Sequence, residues 1–329
     1  MRRDPEPPTH FAAAEPTGLY PLSMMTSTPA ERAPTSSSGP ARATLIDGKL
    51  LSEDLRLRLA ERVAEARRGG RSVRLDAILV GDDKSAGIYA ENQAKACGAV
   101  GIEYILHRLP ASSSFESIVE RVQALNSDPR VSGLMMHMPL PEGVDSERIQ
   151  SMIAPEKDVE GVNPANIGNV VYGRRSLMPC TALAAVELIE WTKRPLRGSS
   201  CVIVGASNIV GKPIAVMLMR AEATVVSCNK YTRDLASFTR GADVLISAAG
   251  VPGLIRADMV KPGAVVVDVG INRVKGDDGK PHTVGDVAFD EVAQVAGFLS
   301  PVPGGVGPMT VVMLLRNTVD AALREERRS

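Results

Sequence analysis

From Thr44 onward, short aliphatic runs alternate with longer stretches whose apolar residues recur at helical spacing. That alternation admits few folds. Runs over 75–80, 103–107 and 133–137 read as strands. Between them lie helices over 85–97, opened by Ser85, and 114–125. An earlier helix, capped by Ser52 and running to about 68, carries Leu55, Leu59 and Val63 on one stripe. Strands joined through helices of this length lie parallel, in a sheet covered on both faces. The second half repeats the pattern: a helix over 181–191, a strand over 200–204, and a helix ending near 220. Strands over 224–227, 244–248 and 265–269 follow, then a last helix from about 309. The expected class is α/β, with the second half forming a Rossmann-like unit. Chain order alone would leave the last helix there, yet it could equally pack back on the first half.

Composition narrows the classes. The 329 residues suffice for two domains, and 44% hydrophobic content with only 3% aromatics implies a core of small aliphatic side chains. A formal net charge of +0 gives no electrostatic footprint for nucleic acid or an anionic membrane. No apolar run approaches the roughly 20 residues that span a bilayer. Cys97, Cys180, Cys201 and Cys228 are scattered, which argues against a metal site or disulfide framework and for thiols in a reducing cytoplasm. Residues 1–43 are rich in Pro, Ser, Thr and Ala and read as a disordered extension. Asp4, Glu6, Glu15 and Glu31 argue against a transit peptide, and Met24 and Met25 are alternative starts.

Three segments carry the chemistry, two of them rich in glycine. Gly205-Ala206-Ser207-Asn208-Ile209-Val210-Gly211 follows a buried strand and precedes a helix, where backbone amides and a helix N-terminus can hold a pyrophosphate. At the end of the next strand, where an NAD site carries an acid for the ribose, stands Ser227-Cys228-Asn229-Lys230-Tyr231-Thr232-Arg233. Two cations and no acid favour NADP over NAD, with Lys230 facing a 2′-phosphate. The third segment is Pro301-Val302-Pro303-Gly304-Gly305-Val306-Gly307-Pro308-Met309-Thr310. Its prolines fix the backbone and its glycines open it to close approach by a ligand.

Together with Asp268-Val269-Gly270-Ile271-Asn272-Arg273 and Val284-Gly285-Asp286-Val287, these segments closely resemble the methylenetetrahydrofolate dehydrogenase/cyclohydrolase family. The resemblance runs in order from about Ile46 to the last helix. It implies two α/β domains flanking a cleft: a folate-binding catalytic domain over 44–180 and a Rossmann-like NADP-binding domain over 181–308. The last helix, 309–326, would return to the first domain, and the chain would form a homodimer. The implied cofactor set is Thr181, Gly205, Ala206, Ser207, Ile209, Gly211, Lys230, Ala249, Gly250 and Ile271. The implied substrate set is Tyr89, Met138, Pro139, Glu160, Pro303, Gly304, Gly305 and Thr310, with tetrahydrofolate as co-substrate and no metal. Pro179-Cys180-Thr181 and Ala248-Ala249-Gly250 would approach the nicotinamide.

Four positions of the first half are implied to be catalytic, Tyr89, Gln93, His137 and Glu160, and the sequence departs from the family at the last three. The family's Tyr-Val-x-x-Lys reads Tyr89-Ala90-Glu91-Asn92-Gln93 here, so glutamine stands at the lysine implicated in hydrolysis. Tyr89 and Gln93 share a helix face, whereas Lys95 points about 200° around it. His137 replaces a glutamine before Met138-Pro139-Leu140-Pro141, facing Gln93, and Glu160 replaces the aspartate of Lys-Asp-Val-Asp-Gly. Hydride transfer asks for positioning, and the positioning segments are intact. Hydrolysis needs protons moved, which glutamine cannot do. The expectation is an NADP-dependent 5,10-methylenetetrahydrofolate dehydrogenase of one-carbon metabolism. Its cyclohydrolase step would be weak unless His137 serves as the base. A one-carbon enzyme using a different acceptor, and a non-catalytic folate or NADP binder, are the alternatives.

Overall fold

The computed structural model describes residues 42–174, 176–275 and 279–324. The expected extension lies outside the described residues over 1–41, but its last two positions depart from that expectation. Ala43 is buried and donates its N–H to Ala293 O at 2.8 Å, and Arg42 pairs with Asp290 at 3.1 Å. Residues 42 and 43 are joined to the folded part by pairing with a distant segment, which leaves no local pattern in the sequence.

The first half runs β1 (Thr44–Leu45), α1 (Gly48–Arg68), β2 (Arg74–Val80), α2 (Lys84–Val100), β3 (Glu103–Leu109), α3 (Phe115–Ser127) and β4 (Gly133–Met136). Then come α4 (Ser146–Gln150), α5 (Pro164–Tyr172) and α6 (Cys180–Trp191). The second half runs β5 (Ser200–Val204), α7 (Gly211–Arg220), β6 (Thr224–Cys228), α8 (Leu235–Thr239), β7 (Val244–Ser247), a 3₁₀ turn and β8 (Val265–Asp268). The hairpin β9 (Asn272–Lys275) and β10 (Pro281–Val284) follows, then α9 (Phe289–Val292), β11 (Phe298–Leu299) and α10 (Val306–Ala322).

Two parallel sheets organise these elements. The smaller has the order β3-β2-β4, and every residue of the central β2 is buried, as a strand covered on both faces should be. The larger has the order β1-β11-β8-β7-β5-β6. The first strand of the chain thus joins the second-half sheet, through the register Thr44↔Phe298 and Leu45↔Leu299.

Three helix starts differ from expectation. α1 is capped by Asp47, whose carboxylate accepts from Leu50 N at 3.0 Å, and not by Ser52, which lies inside the helix and donates to Lys49 O. Both residue types cap well; tertiary contact decides, because Gly48 lies so close to the loop before α10 that a Cβ there would sit 1.9 Å from Gly305 O. α2 is likewise capped early, two residues before Ser85, by Asp83 accepting from Ala86 N at 2.7 Å. α10 begins at Val306, three residues before the expected 309, and the expected residues 325–326 lie outside the described residues.

α10 packs along α1 and α6 and touches β2, β4 and α2. The last helix therefore returns to the first half. Arg62 pairs with Asp320 at 2.7 Å, and Arg316 with Glu187, tying α10 to α1 and to α6. One aliphatic core runs through α1, β2, α6, β5, β7, β8 and α10, so the two halves share an interior. Separate clusters fill the far face of each sheet.

Candidate functional site

β4 ends at Met136, and its last side chains alternate in direction as a strand requires. Met135 faces a cavity of about 230 Å³ between the two halves. Gln93 from α2, Glu160 and Val162 line it on one side, Pro179, Cys180, Thr181 and Ile209 on another, and Thr310, Val311 and Leu314 from α10 close it. Glu160 Oε2 accepts from Met136 N at 3.3 Å. Burial, reinforced by the nearby Asp158, pushes the Glu160 carboxyl up to about 7 against that hydrogen bond. The carboxyl therefore changes charge near neutrality.

The segment carrying Glu160 is firmly held. Asp158 is fully buried and accepts from Gly161 N, Asn163 N and Asn166 Nδ2 at 2.8–3.1 Å. From α10, Asn317 Nδ2 donates to Val159 O at 2.8 Å and Met178 O at 2.9 Å. One helical side chain thus ties both approaches to the cavity.

Of the residues expected to be catalytic, Gln93 and Glu160 line the cavity and two others do not. Gln93 is buried, and its Nε2 donates to Cys97 Sγ at 3.7 Å. Tyr89, one turn earlier on α2, is 64% exposed and outside the lining. The shared helix face diverges because the buried stripe of α2 follows Ala86, Ala90, Gln93 and Cys97. His137 is buried and bonded to Tyr104 on β3, Nε2 to hydroxyl 2.9 Å, rather than turned to Gln93. Burial pushes its imidazole below the ordinary value, so the ring is neutral at pH 7. Tyr104 carries no motif; only the strand pairing of β3 with β2 brings it there.

The expected substrate residues also divide. Thr310 lines the first cavity, whereas Pro303, Gly304 and Gly305 line a second, of about 150 Å³, with Asp268, Gly270, Ile271 and Thr283. The start of α10 walls both: Val306, Gly307 and Pro308 face the second cavity, and Thr310, Val311 and Leu314 the first. Met138 and Pro139 are exposed beyond β4 and line neither. The Met138–Pro139 and Val302–Pro303 bonds are cis.

On the cofactor side, the turn after β5 is wound tightly. Gly205 has φ +114°, and a Cβ there would lie 2.2 Å from Ala248 O; a Cβ on Gly211 would lie 1.8 Å from Gly205 O. Such a turn lets a ligand's phosphates reach backbone. Gly211 N donates to Ser207 Oγ at 3.4 Å, and Val210, at the N-cap of α7, makes no side-chain cap bond. Thr181 and Ile209 line the first cavity, and Ala206 adjoins the turn. Lys230 is exposed beyond β6, its ammonium 5.0 Å from the Tyr231 ring centroid.

Sequence reasoning singled out the motifs around Asp268 and Asp286 but not their function as hydrogen-bond acceptors. Asp286 is fully buried and accepts from Ser247 Oγ, Ala249 N, Gly250 N, Val251 N and Asn272 Nδ2 at 2.7–3.1 Å. Asp268 accepts from Gly270 N, Asp286 N and Val287 N at 2.9–3.0 Å, and burial pushes its carboxyl up to about 6. The readable signal was an aspartate within two residues of a glycine in both motifs. Among the described residues no group of three or more His, Cys, Asp or Glu side chains could hold a metal ion.

A family model described as the tetrahydrofolate dehydrogenase/cyclohydrolase catalytic domain matches residues 46–160, and one described as that family's NAD(P)-binding domain matches 179–326. The chain belongs to the tetrahydrofolate dehydrogenase/cyclohydrolase family. Relatives named bifunctional protein FolD align over nearly their whole length. That of Moorella thermoacetica is 46% identical over 86% of this chain and 99% of its own. That of Cupriavidus metallidurans is 48% identical over 86% of this chain and 98% of its own. Among solved structures, the bifunctional FolD methylenetetrahydrofolate dehydrogenase/cyclohydrolase of Campylobacter jejuni superposes with TM-score 0.81 at 42% identity. It covers 85% of this chain and 98% of that one. The Trypanosoma brucei dehydrogenase-cyclohydrolase, solved with NADP and an inhibitor, superposes with TM-score 0.81 at 36% identity, covering 87% of this chain and 99% of that one. The α/β architecture with a Rossmann-like half is thus the fold of the tetrahydrofolate dehydrogenase/cyclohydrolase family.

Proposed function

We propose that this chain is an NADP-dependent 5,10-methylenetetrahydrofolate dehydrogenase, forming 5,10-methenyltetrahydrofolate by hydride transfer. The observation that carries the reading is a shared cavity. Gln93 and Glu160 from the first half meet Thr181 and Ile209 from the second, under Thr310. A folate there would lie against residues of the nucleotide-binding half. The tight Gly205–Gly211 turn and the start of α7, where Val210 makes no side-chain cap bond, suit a dinucleotide's phosphates, and the exposed Lys230 would meet a 2′-phosphate.

NADP, when bound, supplies the hydride acceptor. The chain's own part is to bind, orient and exclude water. Glu160 is placed to hold the pterin's amino edge, Thr310 and the start of α10 close the cavity, and Ala249, Gly250 and Ile271 form the nicotinamide wall. No side chain need exchange a proton for this step. Hydrolysis of the methenyl product does need one, and Gln93 has none to exchange. His137 is neutral, but burial lowers its basicity, and it lies against Tyr104 outside the cavity lining. Cyclohydrolase activity is therefore weak or absent.

We divide the chain into a folate-side portion over 44–180 with α10 added, and a cofactor-side portion over 181–308. β1 crosses between them. We further infer a homodimer working in the cytoplasm. The open edge of β3 and four buried, unpaired cysteines are in keeping with both. No helix among the described residues is long and apolar enough to cross a membrane.

One spectrophotometric assay tests the reading: NADP and NAD compared with methylenetetrahydrofolate, and methenyl decay followed in the same cuvette. NADP reduction with persistent methenyl product is expected. Absence of NADP reduction alongside tight folate binding would instead favour transfer of the one-carbon unit to another acceptor.

A further inference from the structure

Three segments that are distant in sequence form the wall around the expected nicotinamide site: 247–251 after β7, 268–272 after β8, and the loop 300–305 before α10. None is a regular element over most of its length, so something must hold them. The structure holds them with two buried carboxylates. Asp286 takes the amides of Ala249, Gly250 and Val251 on one segment and the Asn272 side chain on another, with Ser247 Oγ at 3.0 Å completing its shell. Asp268 supports Asp286 from beneath by accepting its N–H at 3.0 Å, and takes Gly270 N at 2.9 Å. Ser300 Oγ accepts from Asp268 N at 2.8 Å, which draws in the third segment.

The two carboxylates nest reciprocally against glycines. A Cβ on Gly270 would sit 2.1 Å from Asp286 Oδ1, and one on Gly285 would sit 1.9 Å from Asp268 Oδ2. Each aspartate occupies space that only a glycine on the other's segment leaves open. We propose that Asp286 is a positioning residue for the cofactor: its carboxylate gathers the 249–251 amides and Asn272 so that the nicotinamide wall is formed before the cofactor binds. The proposal rests on the NADP reading above.

Asp286→Asn discriminates sharply. Oδ2 accepts from Ser247 Oγ, Ala249 N and Gly250 N, and Oδ1 from Val251 N and Asn272 Nδ2. Whichever way an asparagine amide turns, its NH₂ faces at least two donors, and buried donors left unpaired are costly. Asn272→Ala is the gentler variant, since it removes one donor and leaves the amide shell intact.

The experiment measures direct NADP binding, steady-state constants for both substrates, and amide hydrogen exchange on the full chain. For Asp286→Asn we expect NADP affinity to fall about tenfold or more, with the folate KM within about twofold of wild type. Exchange over 249–251 accelerates while α6 and α10 keep wild-type protection. Asn272→Ala gives a smaller loss in the same direction, about threefold. Wild-type NADP affinity and exchange in both variants would overturn the inference. A uniform loss of folate and NADP binding with global unprotection, and no effect of Asn272→Ala, would also overturn it. If Asp286→Asn does not fold, Asn272→Ala alone decides, and unchanged NADP affinity there refutes it. A wild-type chain that fails to bind NADP overturns the function reading and this inference with it.

Discussion

The two walls of the cleft are built differently. On the cofactor side, Asp268 and Asp286 accept eight hydrogen bonds between them, and the glycines that admit them leave no room for change. On the folate side, Gln93 has a long contact to Cys97, His137 has Tyr104, and Glu160 has one backbone amide. Substitution is therefore expensive on the first wall and cheap on the second. The family's wording is kept on the first wall; of the three departures, Gln93 and Glu160 stand on the second, and His137 lies behind it against Tyr104. A wall closed by backbone hydrogen bonds is shaped by what it must hold. A wall of loosely paired side chains leaves its chemistry free to change.

The largest effect should come from breaking the rigid wall. Gly205→Ala puts a Cβ against the Ala248 carbonyl at a backbone angle that suits glycine. Dehydrogenase kcat/KM should fall about 100-fold or more, with NADP binding lost in a direct titration.

Next comes Glu160→Gln, which removes the carboxylate proposed to hold the pterin. Folate kcat/KM at pH 8 should fall about 30-fold, since charged hydrogen bonds of this kind contribute about 1.5–3 kcal/mol. In the wild type the ionised form predominates above about 7, so folate kcat/KM should rise with pH through that value. Glu160→Gln should flatten the rise in a pH profile. The stability effect has the opposite sign. The folded carboxyl holds its proton up to about 7, above the ordinary carboxylate value, so this group favours the fold at low pH and that advantage is lost as pH rises to about 7. Denaturant midpoints of wild type and Glu160→Gln across that window check it.

The permissive wall can also be sharpened. Gln93→Lys combined with His137→Gln restores the family's residues at both positions. Methenyl hydrolysis should rise about tenfold or more, while NADP reduction stays within about threefold. A wild-type chain that hydrolyses methenyltetrahydrofolate as fast as it reduces NADP, with His137→Gln leaving that rate unchanged, would sink this half of the comparison. The smallest effect is expected for Tyr104→Phe, which removes the His137 partner. Stability should drop about 1 kcal/mol in a denaturation curve, with dehydrogenase turnover within about twofold of wild type.

The strands and helices around the site were readable from local pattern, because aliphatic runs and helical spacing record which faces are buried. Gln93 and Glu160 could be singled out from motif alone, and both line the cavity. Helix starts were less readable: Asp47, Ser52, Asp83 and Ser85 are all fair caps, and contact with the loop before α10 selected Asp47. The motifs Asp268-Val269-Gly270 and Val284-Gly285-Asp286-Val287 showed that two aspartates lie within two residues of a glycine, but not that they face each other.

By itself, then, the sequence determined the α/β class, the nucleotide turn and the altered positions, since each is written within a few consecutive residues. Tertiary structure decided the rest. It joined β1 to β11, returned α10 to the first half, turned His137 toward Tyr104 and left Tyr89 outside the cavity. It also set Asp268 and Asp286 together beneath three loops drawn from distant parts of the chain. Those are pairings across long separations, and a residue's own neighbours in sequence carry no record of the partner it will meet in space.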